Sequence, residues 1–138
     1  MTASVQAVDF VRQLAAFADA TAGVRHVVAV SPEGLLLGRY GPGDRSDGDR
    51  LAAITSGLTS LAAGAARGYR LGLPSKVVIE FATGHLLVSA IGGGAMLGVV
   101  AGEEADVGVI AYEMALFSGI AGPSLTPALM AELKNTAE

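Results

Sequence analysis

Residues 51–66, LAAITSGLTSLAAGAA, carry an apolar stripe at helical spacing and no charged side chain anywhere around the circumference. Leu51, Ile54, Leu58, Leu61 and Ala65 recur every three or four positions, the pattern of a helix that lays one face on a core. On a helical wheel Ala53, Gly57, Ser60 and Gly64 fall on the neighbouring flank, with Ser56, Thr59 and Ala63 further round. A helix side that faces water normally carries Lys, Glu or Arg. This small, neutral surface therefore reads as one covered by protein, either a second copy of the chain or a different partner. A core helix with an Ala-rich solvent face is the plainer alternative, because exposed alanine is common.

Working outward, a polar loop over residues 40–48 (YGPGDRSDG) precedes this helix, and Ser46 or Asp47 is expected to cap it. The helix is expected to fray near Gly68 or Gly72. Upstream, Ser4 can cap a first helix reaching about Asp19, with Val8, Val11, Leu14, Phe17 and Ala18 on one side and Gly23 ending it. Residues 24–31 (VRHVVAVS) and 35–39, around the turn Pro32-Glu33-Gly34, read as a hairpin. Downstream, residues 76–81 alternate: Val77, Ile79 and Phe81 share one face, while Lys76, Val78 and Glu80 share the less buried other. Strands over 86–91 and 95–101 follow, separated by Gly92-Gly93-Gly94, and the second is apolar on both faces, as a central strand is. A helix from about Asp106 to Ser118 carries Val107, Ile110, Met114 and Phe117 along one side and breaks at residues 119–123. Thr126-Pro127 then starts a short final helix.

These readings predict an α+β fold in the order α-β-β-α-β-β-β-α, with a five-stranded, mainly antiparallel sheet sandwiched by helices. Residues 1–122 form the domain and 123–138 a short C-terminal extension. One core suffices for 138 residues. With no cysteine, disulfides and thiolate chemistry are excluded, and a reducing cytoplasm is allowed. The net charge of −4, scattered arginines, seven aromatic residues and absence of Trp argue against nucleic acid. The longest uncharged windows, 51–66 and 86–102, are too short or too glycine-broken to span a bilayer, and the N-terminus has no secretory signal pattern.

Three stretches carry a family resemblance: residues 23–26 (GVRH) running into 30–37 (VSPEGLLL), residues 50–58 (RLAAITSGL) and residues 111–116 (AYEMAL). In this order and spacing they resemble the Roadblock/dynein light chain family, and within it the actinobacterial, MglB-like branch encoded beside small Ras-like GTPases. The resemblance spans about residues 5–119. It implies a sheet with the middle helix on one face and the terminal helices on the other. It also implies a homodimer in which the strands over 76–81 pair and the middle helices pack side by side, offering a platform for a Ras-like GTPase or for signalling subunits. The chain departs from the longer polarity regulators of that branch in its short tail after Pro123, so binding, rather than GTPase activation or nucleotide exchange, is what carries over.

The alternation over 76–81 suggests a register for such a dimer. If two strands pair antiparallel about Val78, Lys76 faces Glu80 of the partner on both sides of the axis, each ion pair contributing roughly 0.2–1 kcal/mol. Lys76 and Glu80 would otherwise simply protect an exposed sheet edge. Ala53, Gly57, Ser60, Gly64, Lys76, Val78 and Glu80 are thus the candidate dimer residues, and Ser56, Thr59, Ala63 and Arg67 the candidate partner-binding residues.

No catalytic, cofactor or metal constellation emerges. His26 and His85 stand apart, with no HExxH spacing. Asp44, Asp47 and Asp49 do not follow a calcium-loop pattern and read as capping and solvation. Gly92-Gly93-Gly94 lacks the following Lys-Ser or Lys-Thr of a phosphate loop. Glu103, Glu104 and Asp106 suit the start of a helix, while Arg67 and Arg70 suit the end of one, with contact to a partner as the alternative in each case. The predicted function is a non-enzymatic dimeric scaffold for a small Ras-like GTPase. The alternatives are an adaptor linking a sensor kinase or other signalling proteins, and a small-molecule sensor or enzyme, for which few convergent polar groups exist.

Overall fold

A computed structural model describes residues 3–137. The chain forms α1 (Val5–Ala20), β1 (Val24–Val30), β2 (Leu36–Tyr40), α2 (Arg45–Gly68), β3 (Lys76–Phe81), β4 (Gly84–Gly92), β5 (Ala95–Gly102), α3 (Val107–Ala121), a 3-10 turn and α4 (Pro127–Thr136). The five strands make one antiparallel sheet in the order β2-β1-β5-β4-β3, so β2 and β3 are its two edges. The predicted α+β order is found, and β5 lies at the centre, as its two apolar faces require.

One face of the sheet carries α1, α3 and α4 over the larger core, built on Phe10, Leu14, Leu87, Leu97, Ile110 and Leu133. Phe117 of α3 meets Phe10 and Phe17 of α1, with ring centroids 6.0 and 5.6 Å apart. The other face carries α2 alone over a smaller cluster of Val28, Val30, Leu36, Ala52 and Met96. Residues 107–124 are long and apolar enough to cross a membrane. Here that stretch is a layer of the fold, with Ile110, Met114, Phe117 and Ala121 buried.

Three sequence expectations need correction. The cap of α2 is Asp44: its carboxylate accepts the Asp47 N–H at 3.3 Å, and the Asp47 carboxylate accepts the Asp44 N–H at 2.9 Å. This reciprocal capping box starts the helix before Ser46. The hydrogen bond from the Asp44 backbone also holds the Asp47 carboxyl below the usual range. Next, α3 does not break at Gly119 but continues to Ala121. A single glycine in a helix costs only about 1 kcal/mol, and packing of Ala121 in the core outweighs it.

The third correction concerns the face of α2. Its buried residues are Gly48, Ala52 and Thr55, whereas Ile54 and Leu61 of the expected core stripe are exposed, Leu61 by 73%. The helix is rotated by roughly a third of a turn from the expected orientation, at about 100° per residue. The cause lies beneath it: β5 presents Gly98, whose missing Cβ would collide with the Thr55 hydroxyl. This close approach admits only small residues, so Gly48, Ala52 and Thr55 face the sheet while Ile54 and Leu61 face out.

Candidate partner-binding surface

The two edges of the sheet are treated differently. Leu129, Met130 and Leu133 of α4 join the larger core, while Ala137, one turn on, packs against the smaller cluster on the opposite face. The C-terminal helix therefore crosses the open side of β2. Three contacts hold it there: Ser4 N–H donates to Glu132 Oε2 at 2.7 Å, Lys134 Nζ to Glu33 Oε1 at 3.1 Å, and Arg45 Nη1 to the Ala137 carbonyl at 2.7 Å. At the other side of the sheet, β3 pairs only with β4. Its outer edge carries no secondary-structure partner among the described residues.

Along this bare edge the predicted alternation holds over residues 76–80 and fails at Phe81, which is 56% exposed at the end of the strand. Lys76, Val78 and Glu80 are exposed, and Val77 and Ile79 are half-buried. The register sets Lys76 beside Ser89, Val78 beside Leu87 and Glu80 beside His85. Leu87 belongs to the larger core, so Lys76, Val78 and Glu80 look toward the α1/α3 side, and Val77, Ile79 and Phe81 toward α2. His85 Nδ1–H donates to the Gly102 carbonyl at 3.2 Å, which leaves Nε2 toward Glu80 Oε2 at 4.0 Å.

On the α2 side, the outward stripe of that helix continues onto the sheet edge. Between α2 and the β3–β4 turn lies an apolar groove of about 390 Å³ lined by Leu51, Ile54, Phe81, Leu86 and Val100. Ala53, Gly57 and Ser60 are exposed and Gly64 is half-buried, with open space above both glycines. These residues, with Ile54 and Leu61, share the outer side of α2. Ser56, Thr59 and Ala63 fall on the opposite, half-buried side. Ser56 sits beside the Gly34 turn, and Thr59 donates to the Thr55 carbonyl at 2.9 Å. Arg67 is exposed in the last turn of α2.

A second exposed stripe, Val109, Tyr112, Leu116 and Ile120 on α3, escaped the reading of periodicity. Alpha3 is apolar nearly all round, so only its inner face was resolved. An open concavity of about 760 Å³ lies near the covered β2 edge beside Val11, Leu37 and Tyr40. Its Arg39 donates to the carbonyls of Gly41 and Gly43 at 3.1 and 2.7 Å. The acidic loop is likewise engaged, with Asp44 and Asp47 in the capping box and Asp49 Oδ1 3.7 Å from Arg45.

The family model for the Roadblock/LC7 domain matches residues 11–101. A Roadblock/LC7 domain from Streptomyces avermitilis is 32% identical, covering 80% of this chain and 92% of that one, with a TM-score of 0.75. A second structure of a Roadblock/LC7 domain from that organism is 36% identical over 79% of this chain and 94% of its own, with a TM-score of 0.64. The gliding protein MglB of Thermus thermophilus shares the fold, with a TM-score of 0.78 at 17% identity over 90% of this chain and 93% of its own. None of the curated proteins matches the sequence. With the family model covering most of the sheet and α2, and with a relative of this identity spanning four-fifths of its length, the chain belongs to the Roadblock/LC7 family.

Proposed function

We propose that this Roadblock/LC7 domain is a cytoplasmic, non-enzymatic homodimer that scaffolds a small Ras-like GTPase. The observation that carries the dimer is the asymmetry of the sheet: one edge is sheathed by α4, while the other is bare beside an exposed apolar stripe of α2. An unpaired strand edge next to uncovered leucines is what a second copy would cover. Antiparallel pairing of β3 about Val78 sets Lys76 against Glu80 of the partner, and it brings the outer face of α2, with Ile54, Gly57, Leu61 and Gly64, against its own copy. The GTPase is supported by the resemblance to the MglB-like branch. Ser56, Thr59, Ala63 and Arg67 are the less supported part of its docking surface, because all but Arg67 are half-buried.

Leu61→Asp tests the reading. A buried charge at the helix-helix contact is expected to weaken the dimer by at least about tenfold in sedimentation velocity while circular dichroism stays that of the folded chain. The wild-type protein is expected to retain a purified small Ras-like GTPase from its own cell in a pull-down, in one or both nucleotide states. A wild-type monomer at high concentration would refute the dimer. A dimer that retains a sensor kinase and no GTPase would favour the adaptor role.

A further inference from the structure

Alpha3 lays Ile110, Met114, Phe117 and Ala121 on the larger core and leaves a second apolar side uncovered. Val109, Tyr112, Leu116 and Ile120 are 51%, 64%, 44% and 69% exposed. At about 100° per residue they lie roughly a third of a turn from the buried side, pointing away from the sheet. The stripe thus stands apart from α2, which covers the opposite face. Glu113 is the only charged residue of α3, and it sits inside this stripe, four positions after Val109 and three before Leu116. It is half-buried, with no ion-pair partner among the described residues. Its own helix can supply none, because Val109, Ile110, Leu116 and Phe117 occupy the places three and four residues away.

The surroundings carry the same sign. Residues 77–133 hold Glu80, Glu103, Glu104, Asp106, Glu113 and Glu132 and no Lys or Arg. On the three helices of this layer the cations are Arg12 and Lys134, and both are engaged, with Asp9 at 3.2 Å and Glu33 at 3.1 Å. In the turn before α3, Glu104 has Arg25 at 3.7 Å, while Asp106 caps the helix.

We propose that the outer side of α3 docks a basic amphipathic helix of another protein, whose apolar side covers Val109, Tyr112, Leu116 and Ile120 and whose Lys or Arg pairs with Glu113. An apolar stripe at helical spacing is the complement of a helix packed along it. The carboxylate within the stripe selects the charge of that helix. A second copy fits worse, since it would bring another cation-free α3 against this one and set acid against acid. An anionic lipid surface is repelled for the same reason. The inference does not depend on pairing at β3, and it gives a scaffold a second face on the layer opposite α2.

The probe is a fluorescent synthetic peptide of Leu and Lys at amphipathic helical spacing, about 18 residues long so that it can form a helix. An isomer with Glu in place of Lys serves for comparison. Anisotropy is expected to show the Leu/Lys peptide binding at least about tenfold more tightly than the Leu/Glu one, and less tightly as salt rises. Glu113→Lys, and separately Leu116→Ser/Ile120→Ser, should each weaken that binding by about tenfold with circular dichroism and sedimentation unchanged. Asp49→Lys makes the same change of charge on α2 and should leave binding within about twofold of wild type. Absence of binding, equal binding of the two peptides, or equal loss in Glu113→Lys and Asp49→Lys overturns the proposal. A change in the sedimentation of the protein alone on loss of Leu116 and Ile120, with peptide binding intact, assigns the stripe to a second copy and overturns it too.

Discussion

The contact that sets the orientation of α2 involves two small residues. Gly98 of β5 lies under Thr55, and the Thr55 hydroxyl is buried without a hydrogen-bond partner. A buried, unpaired hydroxyl costs about 1–3 kcal/mol, which is tolerated here because a larger or flatter arrangement would lift the helix off the sheet. Gly98→Ala is expected to destabilise the fold by about 1–3 kcal/mol through overpacking, measured by urea unfolding. Adding Thr55→Ala removes the colliding oxygen, so the double variant should be more stable than the sum of the single changes by more than about 0.5 kcal/mol. Strict additivity would show that the two residues do not share this constraint. The same pair explains why sequence periodicity misplaced the leucines. A stripe of Leu and Ile announces a face that avoids water, and it is silent on whether that face belongs to the core or to another molecule. Only Gly98, distant in sequence, decides the matter.

At the level of elements, most of the architecture was legible. Ser4, Asp106 and Thr126 each cap the helix they precede, and β3 occupies the residues its alternation marked. The legible features were local, set by turn chemistry and by the two-residue and 3.6-residue periods. What could not be read was which elements touch: that α4 covers the β2 edge, that Ser56 and Thr59 turn toward the sheet, and that Leu71 and Leu73 stand free. The junction of α1 and α4 shows how such a contact acts. Ser4 caps α1 through its hydroxyl and donates its backbone N–H to Glu132 of α4, which holds the Glu132 carboxyl below the usual glutamate range. A carboxylate whose pKa is lower in the folded than in the unfolded chain stabilises fully above the ordinary value. That contribution fades as pH falls through the lowered one. The melting temperature should therefore drop on acidification below about pH 4, and Glu132→Gln should flatten part of that drop. The rest persists through Asp47, whose carboxyl is lowered in the same direction. A Gln variant with the same acid profile as wild type would remove Glu132 from this account.

For the whole molecule, the C-terminal helix matters beyond its length. Leu125, Leu129, Met130 and Leu133 are all buried, each contributing roughly 1.5–3 kcal/mol. Together they approach the net stability of a typical domain, about 5–15 kcal/mol. A chain ending at Ser124 is expected to lose its cooperative thermal transition in circular dichroism and to aggregate. Retention of a sharp transition would show that the two-faced core stands without this helix. The cover over β2 has one further consequence, for stoichiometry. A ribbon with two open margins can add copies at both sides and grow into a polymer of no fixed length, whereas one with a single open margin stops growing after its first union. By closing off the β2 side of the subunit, α4 would confine any union along the strands to the β3 side and so make it self-limiting.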